Sequence, residues 1–237
     1  MPPVYADAVA SLKPDIVVFT EYMHDDIAGT GADRSRELFI ERLLSHGLIN
    51  LNISRPDENG FRSNRVLIAS KMPTKYGDIS PPNYHGSFST NVLHVHVPSI
   101  DLEVLGLRVE YFKGPTKHEY LAPWWEWLDN VMRARVGSRF IAIGDLNTDI
   151  DRRPSQYGRH LKEIVECGWH FPSPVGGVSY YAHSGAMTRI DHALVSTAFP
   201  RPAARYVAKS GRFVLGSPTG VLSDHAALVV DLDVGGP

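Results

Sequence analysis

The stretch "GDLNTDI" (residues 144–150) sets Asp145, Asn147 and Asp149 directly after the apolar run "RFIAI". A carboxylate at the end of a strand has its backbone fixed by the sheet while its side chain meets solvent. That makes it a rigid mount for a metal ion or a water molecule. Gly144 lets the chain turn closely, Asp145 offers an anionic oxygen, and Asn147, two residues on and on the same side, offers a neutral amide. Taken alone, the same tetrapeptide also suits a capping turn.

The pattern recurs. Glu21 closes the apolar run in "IVVFTEY", Asp191 opens "DHALVS", and Asp224 with His225 precedes "AALVV". Acids gathered beside a buried sheet cost stability unless they share a partner. Carboxylates suit a hard divalent cation, an aspartate can orient and deprotonate water, and a histidine can hold an anionic transition state. The chain has no Cys/His cluster of a zinc site, no Gly-x-Ser-x-Gly elbow and no glycine-rich phosphate loop. The chemistry that fits this set is metal-assisted phosphoester hydrolysis.

The elements that must position these residues are legible from periodicity. "VYADAVASLK" and "RSRELFIERLLSHG" space their apolar residues as helices do, and "PDIVVFT", "LINLNI" and "RVLIAS" read as strands. "NVLHVHV" alternates, so His94 and His96 are expected to face solvent from a half-exposed strand. "LEVLGLRVEYF" is a further strand. "KHEYLAPWWEWLDNVMRARVG" carries Trp124, Trp127, Leu128 and Val131 on one helical stripe, which makes the tryptophans core anchors. "RFIAIGDLN", "RIDHALVS" and "HAALVVDLD" complete the strands. The intervals between strands hold both helices and turns, so parallel and antiparallel pairings are expected together.

Length and composition set the outer limits. The 237 residues, 43% hydrophobic, suffice for one large core, and a single domain over residues 1–237 is expected. The formal net charge of -2 provides no global positive field, which excludes unselective coating of nucleic acid but leaves room for a local basic groove. The one cysteine, Cys167, forms no internal disulfide and reads as a small apolar filler. No apolar run is long enough to cross a bilayer, and the opening "MPPVYADAVASL" lacks a leader pattern; a cytoplasmic location is expected.

In that order, "FTEY", "GDLN", "RIDH" and "SDH" resemble the signature blocks of the endonuclease/exonuclease/phosphatase superfamily. The resemblance runs from about Lys13 to about Leu232. It implies an α/β fold, a four-layer α/β/β/α sandwich of two mixed sheets, with the active site at one edge. It also implies a Mg2+ cofactor, with Mn2+ as the alternative ion. By position, Glu21 resembles the principal metal ligand and Asp224 a metal-proximal acid. Asp145 resembles the residue that orients or deprotonates the attacking water, and Asn147 its companion. Asp191 resembles the acid paired with the catalytic histidine, here His225. Tyr111 in "RVEYF" falls where the apurinic-site branch carries a tyrosine, and suits either a phosphate donor or a half-buried strand aromatic. Asn64 and Arg189 are expected to touch substrate. The family's first strand, with an asparagine beside the metal-binding glutamate, has no counterpart ahead of "MPPVYADAVASL". Its loss would expose backbone donors and acceptors and leave a gap in the core: either the start is assigned too late, or another segment fills that place, or the domain is weakened.

The expected substrate is nucleic acid, cleaved as a phosphodiester. "FRSNR", "DRRPSQYGR" and "RYVAKSGR" offer arginines and aromatics for phosphates and bases, and Tyr180 with Tyr181 forms an aromatic segment before the Asp191 block. The alternatives are a phosphatase of a small phosphorylated metabolite or lipid head group, and a non-catalytic binding module with a degenerate site. The shared fold does not choose among them.

Overall fold

The computed structural model describes residues 1–23, 32–56, 64–81, 88–110, 117–150, 156–219 and 222–235. Two sheets face each other between pairs of helices, as the α/β/β/α expectation requires. The first layer is helical: α1 (Pro3–Ala10) and α2 (Ala32–Ser45). They lie on a sheet of β1 (Ile16–Met23), β2 (Asn50–Ile53) and β3 (Asn64–Ser70), ordered β1-β3-β2 and antiparallel throughout. Val17 and Phe19 of β1 turn toward the helices and pack with Val9, Phe39 and Leu43, whereas Ile16 and Val18 turn the other way into the interior of the sandwich. Phe39 and Leu43 are wholly buried, and burial of such side chains stabilises the fold by about 1.5–3 kcal/mol each.

The second sheet has six strands, ordered β4-β5-β6-β7-β11-β8. They are β4 (Lys75–Tyr76), β5 (Val92–Val97), β6 (Leu102–Arg108), β7 (Phe140–Asp145), β8 (Trp169–His170) and β11 (Asp191–Ser196). β6 and β7 are parallel and the other pairs antiparallel, so this sheet is mixed. Its outer face is covered by α3 (Lys117–Ala134) and α4 (Gln156–Glu166), with Trp124, Trp125 and Leu128 buried between. The tryptophans are core anchors, Trp125 included. The short ladders β9 (Tyr180–Tyr181) with β10 (Met187–Thr188) and β13 (Lys209–Ser210) with β14 (Phe213–Val214) lie outside the two sheets. Among the described residues no helix is long and apolar enough to cross a membrane.

β12 (Ala203–Val207) pairs with β15 (Ala227–Asp231) and, among the described residues, with no other strand. Leu228 and Val230 of β15 nevertheless pack on the same interior core as Ile16, Val18, Val66 and Ile68, which places β15 in the layer of β1. The first sheet is thus divided. A cavity of about 650 Å3 lies between β1 and β15.

One expectation from alternation is corrected. His94 is buried, 4% exposed, because β5 is an inner strand covered on both faces, and its ring packs against Phe140. Only His96 reaches the partly exposed side.

Candidate active site

Glu21, Asp145, Asp191, Asp224 and His225, spread over more than 200 residues of sequence, all line one end of the cavity between β1 and β15. Each is placed by a distinct local device. In β1 the register shifts between Phe19 and Tyr22, a bulge that turns Glu21 out of the ladder. Asp145 ends β7 and stands opposite Asp191, the first residue of β11, in the antiparallel register. Gly144 makes this approach possible: at φ 152° it lies so close to β6 that a Cβ would meet the Leu107 carbonyl oxygen at 1.9 Å. Asn147 takes a left-handed conformation, φ 47°, which asparagine tolerates well.

The side chains then interlock. The Asn147 backbone N–H donates to Asp145 Oδ1 at 2.9 Å, and its amide donates to Asp145 Oδ2 at 3.1 Å and to the Val109 carbonyl at 2.6 Å. Asp191 is anchored by backbone N–H donation from itself and Ile190 to Ser179 Oγ, each at 3.0 Å. The Tyr206 hydroxyl donates to the Asp191 carbonyl at 2.6 Å. Asp191 Oδ2 in turn meets His225 Nδ1 at 2.9 Å, so the outer ring nitrogen, Nε2, is left for a ligand. The His225 ring leans on Tyr180, centroids 4.9 Å apart.

Charge in this end of the cavity is unbalanced. Burial, followed by the charge of Asp191, raises the Asp145 carboxyl to about 7, against the opposing effects of His225, the Asn147 N–H and Arg108. Burial alone would lower the His225 pKa, but the hydrogen bond and charge of Asp191, with Asp145 and Asp224, raise it to about 9. Glu21, Asp145, Asp191 and Asp224 line the same end of the cavity, oxygen donors of the type a hard divalent cation takes, and the buried Asp145 is short of positive charge. His192, next to Asp191, is buried and neutral, lowered to about 4 chiefly by burial; its Nε2 meets the Thr148 carbonyl at 2.8 Å and so braces the 145–149 turn.

Two contributors were not singled out from the sequence. Arg108 ends β6, stands beside Asp145 in the parallel register, and donates to Glu21 Oε1 from Nε at 3.0 Å and from a terminal nitrogen at 2.8 Å. It carries the same sequence mark as Glu21, a charged residue closing an apolar strand. Tyr5 of α1 reaches the acids from the helical layer; burial raises its hydroxyl pKa, Ser223 hydrogen-bonds to it, and Asp191, Asp224 and Glu21 add their charge. No local sequence signal marks Tyr5, because only packing of α1 brings it there.

The remaining expected residues lie elsewhere. Asn64 opens β3 opposite Met23, at the same end of the sheet as Glu21. Tyr111 lies outside the described residues. Arg189 is buried, 3% exposed, and its guanidinium donates to the Ser173 and Pro174 carbonyls at 3.0 and 2.8 Å beside the Phe171 ring. It ties down the 171–179 loop, which corrects the expectation of a substrate contact. Arg65 of "FRSNR" is likewise buried and donates to the Ser54 carbonyl. Arg205, Lys209 and Arg212 of "RYVAKSGR" are exposed.

Among the described residues the one group of three acid or histidine ligands whose donor atoms lie within 4.8 Å of one another is Asp78, His94 and Glu103, at the second sheet. Arg135 already pairs with both of its acids, at 3.1 and 3.3 Å, and His94 Nδ1 accepts the Ile79 N–H at 3.2 Å. Its charge is answered from within the protein.

The sequence pattern of the Endonuclease/Exonuclease/phosphatase family matches residues 5–225. The chain belongs to that family. No curated protein matches the chain in sequence. Among solved structures, the endonuclease/exonuclease/phosphatase from Beutenbergia cavernae DSM 12333 superposes with a TM-score of 0.72 at 23% identity, over 99% of this chain and 66% of that one. This chain therefore spans just under two thirds of that protein's length. The 3'-5' exonuclease (NExo) from Neisseria meningitidis gives 0.67 at 19% identity, over 98% of this chain and 94% of the other. An AP endonuclease from Archaeoglobus fulgidus gives 0.66 at 19%, over 95% and 91%. At these identities the likeness establishes a shared fold, the two-sheet sandwich of the endonuclease/exonuclease/phosphatase family.

Proposed function

We propose that the chain is a Mg2+-dependent phosphodiesterase acting on nucleic acid. The observation that carries this reading is the Asn147–Asp145 and Asp191–His225 pair of hydrogen-bonded units, opposed across β7 and β11 beside Glu21 and Asp224. Asp145, with a carboxyl raised to about 7, is matched to take a proton from water near neutral pH. Asn147 holds that carboxylate by two hydrogen bonds and so fixes the direction of attack. As the water oxygen bonds to phosphorus its proton passes to Asp145, and the ester P–O bond opposite breaks. His225, oriented by Asp191 and raised to about 9, is cationic at neutral pH and donates from Nε2 to a phosphoryl oxygen as charge develops. Glu21 and Asp224 would hold the metal, whose chemistry is to neutralise the phosphoryl group. Mn2+ fits the same oxygen donors.

Nucleic acid as substrate is supported by the exposed Lys209 and Arg212 and by a fold shared with a 3'-5' exonuclease and an AP endonuclease. Turnover on abasic duplex DNA, plain duplex DNA and a phosphomonoester panel, with and without Mg2+, tests the proposal. Metal-dependent cleavage of a DNA substrate is expected. Turnover of monoesters alone would make the chain a phosphatase, and binding without turnover would make it a degenerate binding module.

A further inference from the structure

Arg108 stands at the junction of the two sheets. It ends β6, beside Asp145 in the parallel register, yet its guanidinium crosses to Glu21 of β1 in the other sheet. Nε donates to Glu21 Oε1 at 3.0 Å, and a terminal nitrogen lies 2.8 Å from that same oxygen. Both contacts fall on one oxygen, and among the described residues Oε2 accepts no hydrogen bond.

The two partners differ in freedom. The Arg108 side chain is 16% exposed, and its other terminal nitrogen lies 3.5 Å from Oδ1 of Asn91, which is wholly buried and whose amide donates to Glu110 at 2.8 Å. The Glu21 side chain is 53% exposed. The arginine is the fixed member of the pair and Glu21 the adjustable one.

Two features set this pair apart from an ordinary surface ion pair. A guanidinium carries five N–H groups, more than Glu21 and Asn91 engage, so donors remain for a further anion. Its charge also reaches the proton-handling end of the site: Asp145, raised chiefly by burial and by Asp191, is lowered in part by Arg108. A divalent cation taken up by Glu21 would share one carboxylate with this guanidinium, and two cations so close repel each other where screening is incomplete. An anion that touches both relieves the repulsion, and the fork of a guanidinium matches the oxygens of a phosphate.

We propose that Arg108 is a phosphate-binding residue of this site, one that opposes uptake of a bare divalent cation at Glu21 and grips a phosphoryl oxygen of the substrate. This role rests on the phosphoester reading of the site, and it makes the phosphate, rather than free cation alone, the ligand that completes the balance of charge.

The test is binding without turnover, on the 237-residue protein with Mg2+ and inorganic phosphate as probes, at a pH well above the Asp145 value of about 7 so that its carboxyl stays ionised. Arg108→Met keeps the aliphatic stem and loses the charge. By calorimetry it is expected to bind Mg2+ alone about tenfold more tightly, and phosphate in the presence of Mg2+ about tenfold more weakly. Arg108→Lys keeps the charge but not the fork, so its Mg2+ affinity should stay within about twofold of the parent while phosphate binding weakens by about threefold or more. Circular dichroism checks that each variant is folded, and the lysine variant carries the test if the methionine variant is not. An arginine that merely props Glu21 would give the opposite sign, so Mg2+ binding unchanged or weakened in Arg108→Met overturns the proposal. So does phosphate affinity unchanged in the variants, or a parent protein that binds no phosphate. The expected shifts in a protein that hydrolyses no ester would keep the role of Arg108 and sink the phosphodiesterase reading; hydrolysis by a parent whose affinities ignore Arg108 would do the reverse.

Discussion

Two clusters of acids and histidine sit in this molecule, and they handle charge in opposite ways. Around His94 the arrangement is self-sufficient. Burial, the largest influence, lowers the His94 pKa, Ile79 donates to its ring, and Arg135 spans Asp78 and Glu103. Around His225 four carboxylates, those of Glu21, Asp145, Asp191 and Asp224, are answered among the described residues by Arg108 and the imidazole, and a buried carboxyl is driven to about 7. Residue types alone do not separate a stabilising cluster from a reactive one; what separates them is whether the protein supplies the countercharge. A buried cluster short of positive charge costs stability unless a cation is supplied to it.

The sharpest way to break the comparison is to exchange the consequences of substitution. Asp145→Ala and His225→Ala are each expected to lower hydrolysis by about a thousandfold or more with the fold retained, checked by initial rates and circular dichroism. Arg135→Met should leave rates unchanged. A cluster at His225 that merely shapes turns would show the reverse, with stability lost and the rate of the folded fraction kept.

Stability should separate them next. The folded Asp145 pKa, about 7, lies above its unfolded value of 3.8, so this group favours folding below pH 3.8 and loses that contribution as pH rises through 7. Without metal, Asp145→Asn is therefore expected to be more stable than the parent at pH 8, by on the order of a few kcal/mol in urea titration. Added Mg2+ should shrink the difference. His192 works in the other direction: its folded pKa of about 4 lies below the unfolded 6.5, so its contribution is full above pH 6.5 and lost toward pH 4. His192→Gln should flatten that part of the profile, by about 3 kcal/mol at most.

Smaller effects sharpen the picture. Glu21→Gln should raise the Mg2+ needed for half-maximal rate by about tenfold, since one charged ligand is lost. Arg135→Met should cost about 1 kcal/mol in stability, the worth of a partly exposed pair, with no change in metal requirement.

Much of the site was legible in the sequence for a physical reason: strand ends fix positions. Glu21, Asp145, Asn147, Asp191, Asp224 and His225 each adjoin an apolar run, and the sheet brings those ends together. Burial of polar residues was less legible. His94 alternates with valines as an exposed residue would, yet a second covered face is a tertiary fact that period cannot encode. Arg189 looked available because it stands beside Asp191, but its partners, the Ser173 and Pro174 carbonyls, come from a loop with no regular pattern. The bulge that aims Glu21 needs the pairing with β3 to exist before it can be seen.

Helix α1 touches both halves of the divided sheet. The Tyr5 ring lies tilted against Phe19 of β1, centroids 6.0 Å apart, and its hydroxyl bonds to Ser223 ahead of β15; just past the helix, Ser11 Oγ meets Ser210 Oγ of β13 at 2.7 Å. It acts as a clasp holding two banks of a channel at their distance. The Asp145–Asp191 spacing, by contrast, is locked by a continuous ladder. Loosening the clasp would widen the span from Glu21 to His225 while the Asp145–Asp191 spacing stayed fixed, so the two distances hang on separate hinges.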